Sequence, residues 1–275
     1  MPNYNGVWSL VTQYQYAADW SADNYTGALG FIFGGQNTSG TRLNTIESIK
    51  ITSAGGNVDF GDTIAALKRT TGFSSSTRAV IAGGDTGSAV NTIQHITMAS
   101  SGDATDFGDL SSTSQEGTGT GSSTRGLFQL GLATDNVNTI EYVTIASTGN
   151  ATDFGDRTTT AAYGQDSAVS SPTRGVFSGG FISNSVNIID YVTIASTGDA
   201  TDFGDTSVTR YGMGGASSAT RGVFGGGNTS GDTMDYITIA STGNASDFGN
   251  LTNSPRYISG TSNGVRGIFG GGKVS

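Results

Sequence analysis

The chain has no cysteine, and it is poor in charge, histidine, proline and long apolar runs. Its 275 residues include one His and three Pro, and charged residues make up 13%, against roughly 25% in ordinary soluble proteins. Without cysteine there is no disulfide, no thiolate nucleophile and no cysteine-ligated zinc. A single histidine excludes multi-histidine metal sites. No apolar run approaches the ~20 residues of a membrane-spanning helix.

Basic residues are also scarce, which limits the possible partners. The net charge is −9, and only three lysines are present. Proteins that bind nucleic acids or anionic membranes need clusters of Lys and Arg. We therefore expect no nucleic-acid partner and no membrane insertion. The opening MPNYNGVWSL has no charged region followed by an apolar run, so it predicts no secretory signal.

Glycine is abundant, with 44 residues, and most of the chain is a repeated sequence. Each copy begins with a segment similar to TRGVFSGG and continues with a segment similar to DYVTIASTGDATDFGD. The repeats are approximately 29–76, 77–123, 124–172, 173–219 and 220–264. The arginines that start the copies, Arg78, Arg125, Arg174, Arg221 and Arg266, are separated by 47, 49, 47 and 45 residues.

Each repeat holds four short segments rich in Val, Ile, Phe, Tyr and Thr, separated by Gly-containing turns, and these predict strands. Four antiparallel strands at this period are typical of a β-propeller blade, for which known repeats span ~40–50 residues. The main alternative is a β-helix, which repeats at shorter periods with parallel strands. We therefore predict one all-β domain over 1–275, a six-bladed β-propeller of four-stranded antiparallel blades.

The order of motifs resembles kelch repeats and the kelch-like propeller of the galactose-oxidase type. An apolar strand ends in Gly-Gly, a variable loop follows, then a Tyr-centred strand, an aromatic residue and an Arg-containing lead-in, as at Arg210 and Arg256. The distance from Tyr to the aromatic is always twelve, as from Tyr142 to Phe154, which is longer than in kelch repeats. Resemblance to the oxidase itself would imply a copper site with several histidines and a Tyr–Cys cross-link. This chain has one His and no Cys, so that activity is not expected.

The segment TIASTGNATDFGD at 144–156 and the opening MPNYNGVWSL also resemble sequences of repeat proteins from marine tailed bacteriophages. This resemblance implies a virion protein, such as an appendage or tail fibre component. It would be made in the host cytoplasm without a signal peptide and become extracellular after host lysis. The expected partners are other virion proteins or a host-surface glycan or protein, with homo-oligomeric or multivalent display.

The two ends of the chain are predicted to share one blade. The strand that ends in a glycine pair occurs six times, with Leu130-Gly131 in place of the pair in the third copy, but the hairpin ending in Asp-Phe-Gly occurs five times. Trp8 and Trp20 are twelve apart, like the Tyr–aromatic pairs of the repeats. We therefore expect 265–275 and 1–28 to form the closing blade, with 266–272 pairing with strands from 7–20, because closure removes an open sheet edge. The alternative is a helix over 9–20.

Asp-Phe-Gly motifs recur in five copies, beginning at Asp59, Asp106, Asp153, Asp202 and Asp247. A magnesium site of the kinase type would also need a Gly-rich loop, a paired Lys and a catalytic loop. Fivefold repetition favours a structural role instead. We predict that Phe fills the core between blades, that Gly forms a turn, and that the following Asp caps this turn. For the repeated Arg we predict a bidentate partner in a repeated Asp, with an arginine ring lining the central channel and binding an anion as the alternative.

No catalytic constellation stands out, so the site prediction contains no catalytic, cofactor-binding or metal-binding residue, and no cofactor. His95 takes the place of the repeat tyrosine and is predicted to be a core substitute, although a Ser–His pair is formally possible. Calcium bound in an Asp-containing loop also stays possible. A glycan hydrolase or lyase would need paired carboxylates, and Glu47, Glu116 and Asp166 form no evident pair in the sequence.

The loops after the glycine pairs vary in length and sequence, and they are the expected binding surface. They cover 36–44, 85–91, 133–138, 181–187 and 228–233. A constant scaffold with variable loops predicts a non-enzymatic structural or adhesive propeller that binds a glycan or protein. The alternatives are a polysaccharide-degrading propeller enzyme and a kelch-type adaptor for an intracellular protein.

Overall fold

The computed structural model describes residues 29–132, 137–160 and 167–274. All helix and strand elements in these ranges are β-strands, and paired strands run antiparallel. No helix in the described part of the chain is long and apolar enough to cross a membrane. The all-β prediction is therefore confirmed, and the antiparallel hairpins rule out the parallel coils of a β-helix.

The strands form a β-propeller of small sheets, which we number as blades in chain order. Blade 1 contains β1 (Leu29–Gln36), β2 (Arg42–Lys50) and β3 (Val58–Leu67). Blade 2 contains β4 (Thr71–Ser74), β5 (Arg78–Ala82), β6 (Val90–Thr97) and β7 (Thr105–Ser114). Blade 3 contains β8 (Thr118–Gly121), β9 (Arg125–Gln129), β10 (Thr139–Thr144) and β11 (Thr152–Asp156).

Blades 4 and 5 repeat the same plan. Blade 4 contains β12 (Ser167–Ser170), β13 (Arg174–Ser178), β14 (Ile188–Thr193) and β15 (Thr201–Asp205). Blade 5 contains β16 (Gly214–Ser217), β17 (Arg221–Gly225), β18 (Thr233–Thr238) and β19 (Ser246–Asn250). The last strands are β20 (Pro255–Arg256), β21 (Ser259–Ser262), β22 (Gly267–Gly270) and β23 (Lys273–Val274).

Five blade sheets are present in the described residues, not the six that the repeats predict. Blade 1 has three strands and blades 2 to 5 have four each. The remaining strands form two-stranded sheets, in which β21 pairs with β22 and β20 pairs with β23. The predicted pairing of 266–272 with 7–20, and the strand or helix at 9–20, lie outside the described residues.

Blades and sequence repeats are offset by one strand. A repeat that begins at Arg174 supplies β13, β14 and β15 to blade 4, and its last segment becomes β16, the first strand of blade 5. The first strands of neighbouring blades lie side by side around the axis of the ring. For example, the backbone N–H of Ser170 in β12 donates to Oγ of Ser217 in β16 at 3.3 Å. Each repeat therefore links two neighbouring blades covalently.

A glycine near the start of β1, β9, β13, β17 and β22 allows a neighbouring blade to approach closely, whereas β5 has Ala79 at this position. A Cβ added to Gly126 in β9 would lie 1.7 Å from the ring of Phe73 in β4, the first strand of the preceding blade. The same contact joins Gly175 to Thr120, Gly222 to Val169, Gly267 to Ala216, and Gly30 to Thr261. The last of these pairs brings β1 against β21, so the described chain returns to its start.

The hydrophobic core lies between the blades, where two sheets face each other. Phe107 of blade 2 packs with Val143 and Ile145 of blade 3 in one cluster of buried side chains. Phe154 of blade 3 packs in the same way against Ile194 of blade 4. Both faces of blades 2 to 4 are covered, which explains why their strands do not alternate cleanly between apolar and polar residues.

Candidate binding face

The repeated Asp-Phe-Gly motifs hold neighbouring blades together. Phe60, Phe107, Phe154 and Phe203 are each at most 8% exposed. Each is the extra residue of a β-bulge; in blade 3, Ile140 pairs with Gly155 and Glu141 with Asp153, which leaves Phe154 between them. The prediction that Phe fills the interblade core is confirmed for these four copies. The motif does not form a turn, however, because Gly lies within the strand at the bulge.

Backbone hydrogen bonds connect each of these four motifs to the next blade. At the junction of blades 2 and 3, the N–H of Gly149 donates to the carbonyl of Phe107 at 2.7 Å, and the N–H of Ala151 donates to the carbonyl of Asp109 at 2.8 Å. The N–H of Asp109 donates to Oδ1 of Asn150 at 3.0 Å. The second Asp of the motif therefore acts through its backbone, while its side chain is exposed.

A buried polar position, which the sequence analysis missed, makes a second connection between blades. It lies directly before the repeat tyrosine and is occupied by Gln94, Glu141, Asp190 and Asp235. Each side chain is at most 3% exposed. Each accepts a backbone N–H of the preceding blade, from Ile64, Ser111, Thr158 and Ser207 respectively. The signal in the sequence was a polar residue recurring inside an apolar strand.

Two of these acceptors are carboxylates in buried ion pairs. Asp190 pairs with Nε of Arg157 at 3.0 Å, and Asp235 pairs with Nη2 of Arg210 at 2.7 Å; all four side chains are 0% exposed. Burial lowers the pKa of the Arg210 guanidinium, and the charge of Asp235 opposes this shift. Nη1 of Arg210 also donates to the carbonyl of Thr233 at 2.7 Å.

Among the described residues, no ion pair joins a repeated arginine to a repeated aspartate, so that prediction is wrong. Arg78, Arg125 and Arg174 donate to backbone carbonyls of the following blade, at Ile145, Ile194 and Ile239, over 2.8–2.9 Å. Arg125 and Arg174 also stack over the repeat tyrosines of their own blades, with Cζ 4.4 Å from the ring centroids. The arginine side chain is long enough to reach past the neighbouring strand, which spacing in the sequence could not reveal.

The residues that line the central channel contradict the alternative prediction of an anion-binding arginine ring. A cavity of about 410 Å³ lies between the first strands, and its described lining consists of uncharged residues. Residues at the axis are mostly Gly, Ser, Thr and Ala, as in Gly119 and Ser217. A channel of this kind offers no charge that would hold an anion.

His95 is half-buried and is therefore not a core residue in the strict sense. Its ring packs edge-on against Phe107 with centroids 5.5 Å apart, as Tyr142 packs against Phe154 at 6.0 Å. Burial, followed by the positive charge of Arg78, lowers the pKa of His95. It thus replaces the repeat tyrosine in packing. Within the described ranges, no three histidine or acidic side chains are grouped so that they could hold a metal ion.

The variable loops meet the interblade linkers at one end of the propeller, which we call the loop face. A glycine pair, replaced by Leu130-Gly131 in blade 3, lies at the end of the strand where the adjacent first strand begins. Backbone hydrogen bonds join the loop to the linker. For example, the N–H of Asp85 donates to the carbonyl of Lys68 at 2.8 Å, and the N–H of Lys68 donates to the carbonyl of Asp85 at 3.2 Å. Burial alone would raise the pKa of Asp85, but hydrogen bonds from the Gly87 N–H and from Arg42 outweigh it and lower that pKa.

The mouth of the channel on the loop face is small and polar. Its lining includes Thr70, Gly117, Met213 and Ile258, around a cavity of about 120 Å³. The residue before each of these has positive φ, between 59° and 73°. We call these four the rim residues: Arg69, Glu116, Gly212 and Tyr257. The sequence analysis named Glu116 without a role and did not identify the rim.

Aromatic side chains extend outward from this rim. Tyr257 is 37% exposed, and its ring lies 6.0 Å from that of Tyr211. Tyr211 in turn packs against Phe181, the aromatic residue of a variable loop, with centroids 5.3 Å apart. Nη1 of Arg69 lies 2.9 Å from Oε1 of Glu116. The loop face therefore carries a row of three aromatic rings and an ion pair around a polar channel mouth.

No protein-family model matches this chain, and no curated protein matches it. Its assignment as a β-propeller rests on its own sheets, and the kelch and bacteriophage resemblances stay predictions from the sequence.

Proposed function

We propose that this protein is a non-enzymatic propeller of a bacteriophage virion, an appendage or fibre component that binds a glycan or protein through its loop face. One observation carries the proposal. The recurring motifs, including Asp-Phe-Gly and the repeated Arg, are used in contacts between blades, whereas the loops that differ are gathered at one end. Such a division between constant scaffold and variable loops is typical of repeat proteins that bind partners.

We further propose that the propeller has six blades, with the first 28 residues completing blade 1 and a closing blade around β21 and β22. In the described residues, β1 has a neighbour only on its outer side and β22 only on its inner side. Phe248 is 48% exposed, whereas the corresponding phenylalanines are at most 8% exposed. A segment of 28 residues is long enough for the short strands that would fill these two gaps.

The role as a virion adhesin is tested with purified particles and recombinant protein. We expect mass spectrometry to detect the chain in virions from a culture that carries its gene. We also expect the recombinant protein to bind a glycan array or intact host cells, and to release no new reducing ends from host polysaccharide. Absence from particles together with no binding would reject the proposal, and release of reducing ends would favour the polysaccharide-degrading alternative.

A further inference from the structure

We propose that the rim residues Arg69, Glu116 and Tyr257, with Tyr211 and Phe181, form a binding site for a neutral sugar ring above the channel mouth. This inference rests on the proposed adhesive function, because it names the class of ligand that the loop face would bind.

The backbone of the rim gives the first argument. The N–H of Glu116 donates to the carbonyl of Arg69 at 3.0 Å, and the N–H of Tyr257 donates to the carbonyl of Gly212 at 2.8 Å. All four residues have φ between 59° and 73°, a region that costs energy for any residue with a Cβ. Gly212 demonstrates that glycine fits this position. Three strained rim positions carry Arg, Glu and Tyr, and their side chains form an ion pair and a ring contact at the channel mouth. We infer that these side chains, and not the backbone, set the residue type at the rim.

The side chains give the second argument, because they converge from distant parts of the chain. Glu116 and Tyr257 belong to linkers three repeats apart. Burial, then interactions with Tyr211 and the negative charge of Glu116, raise the pKa of the Tyr257 hydroxyl. Like an ordinary tyrosine, Tyr257 is protonated near neutral pH, so its hydroxyl can donate a hydrogen bond.

The chemistry of the cluster matches a carbohydrate. The rings of Tyr257, Tyr211 and Phe181 offer partly exposed apolar faces, on which the C–H face of a pyranose can pack. Arg69 and Glu116 offer fixed donors and acceptors for hydroxyl groups. Their charges compensate each other, and the chain carries a net charge of −9, so a neutral sugar is favoured over an anionic one. The mouth, at about 120 Å³, is too small for a buried drug-sized ligand.

The test compares substitutions by glycine at the rim with a matched control. Tyr257→Gly and Glu116→Gly remove the side chains and relieve the backbone strain, so we expect a Tm within about 2–4 °C of the parent chain. Ser230→Gly is the control, because Ser230 has φ of 47° in a loop of the same face. Binding is measured by calorimetry with neutral hexasaccharides of α-glucan, β-glucan, mannan and galactan type.

We expect the parent chain to bind at least one hexasaccharide, each rim variant to bind it at least about tenfold more weakly, and Ser230→Gly to bind it unchanged. Unchanged binding by both rim variants would overturn the site while leaving the adhesive function intact. Binding to cells or proteins without binding to any neutral sugar would overturn the ligand class. Loss of binding together with a large fall in Tm would assign the rim residues to folding and overturn the site. If the parent chain bound no sugar, no cell and no protein, both proposals would be overturned.

Discussion

Replacing Asp235 with alanine is expected to lower the free energy of unfolding by about 3–5 kcal/mol, because it leaves the buried Arg210 guanidinium without its carboxylate. The carboxylate lies 2.7 Å from Nη2 of Arg210, and both side chains are 0% exposed. It also accepts from the N–H and the hydroxyl of Ser207, in the linker that follows blade 4. Urea denaturation of the full chain measures the loss.

Asp202→Ala is the matched control for this substitution. Asp202 lies opposite Asp190 on the neighbouring strand of blade 4, and the side chain of Asp202 is exposed. We therefore expect its substitution to change the free energy of unfolding by about 0.5 kcal/mol or less. In the double variant Asp235→Ala with Arg210→Ala, the loss should be well below the sum of the single losses, because the two groups interact directly. Equal, small losses for Asp235→Ala and Asp202→Ala would mean that the buried pair does not hold the blades together.

Replacing Gly155 with alanine is expected to cost about 3–5 kcal/mol, since it combines backbone strain with a steric clash between blades. Gly155 has φ of 140°, and a Cβ there would lie 2.5 Å from the carbonyl carbon of Gly198 in blade 4's hairpin. Thermal unfolding of the full chain, converted to free energy at the midpoint, measures the effect.

Gly198 provides the control from the opposite side of the same contact. It has φ of 152°, but an added Cβ would meet nothing within 4 Å. We expect Gly198→Ala to cost about 1–3 kcal/mol from backbone strain alone. The difference between the two variants isolates the interblade clash. If Gly198→Ala were as damaging as Gly155→Ala, close approach of the two hairpins would not be the reason for the glycine.

The strands and their grouping into blades could be predicted from the sequence because both depend on local signals. Short runs of Val, Ile, Phe and Tyr between glycines define strands, and the fixed period defines the blade. The offset between repeat and blade could not be predicted in this way. The first strand of a blade is the segment that pairs across the turn before Arg174 or Arg221. Because the repeats follow each other around a ring, their sequence alone does not mark where a blade begins.

The contacts between blades were only partly predictable. Burial of the repeated Phe follows from hydrophobicity. The partner of Arg125 or Arg174, however, is a backbone carbonyl 65–69 residues away in the following blade. Every residue offers such a carbonyl, so sequence identity cannot mark it. The rim was missed for a related reason: Arg69, Glu116 and Tyr257 share a backbone conformation and not a residue type.

The most direct test of the closed ring is hydrogen exchange of β1 and β22 in the intact chain. In the described residues, β1 and β22 each have one hydrogen-bonded neighbour, whereas β5 (Arg78–Ala82) lies between β4 and β6. If the first 28 residues complete the ring, amides of Leu29–Gln36 and Gly267–Gly270 will exchange as slowly as those of β5, and deleting 1–28 will abolish this protection. If about half of these amides exchange within seconds in the intact chain, as expected for open sheet edges, the ring is not closed by its amino terminus.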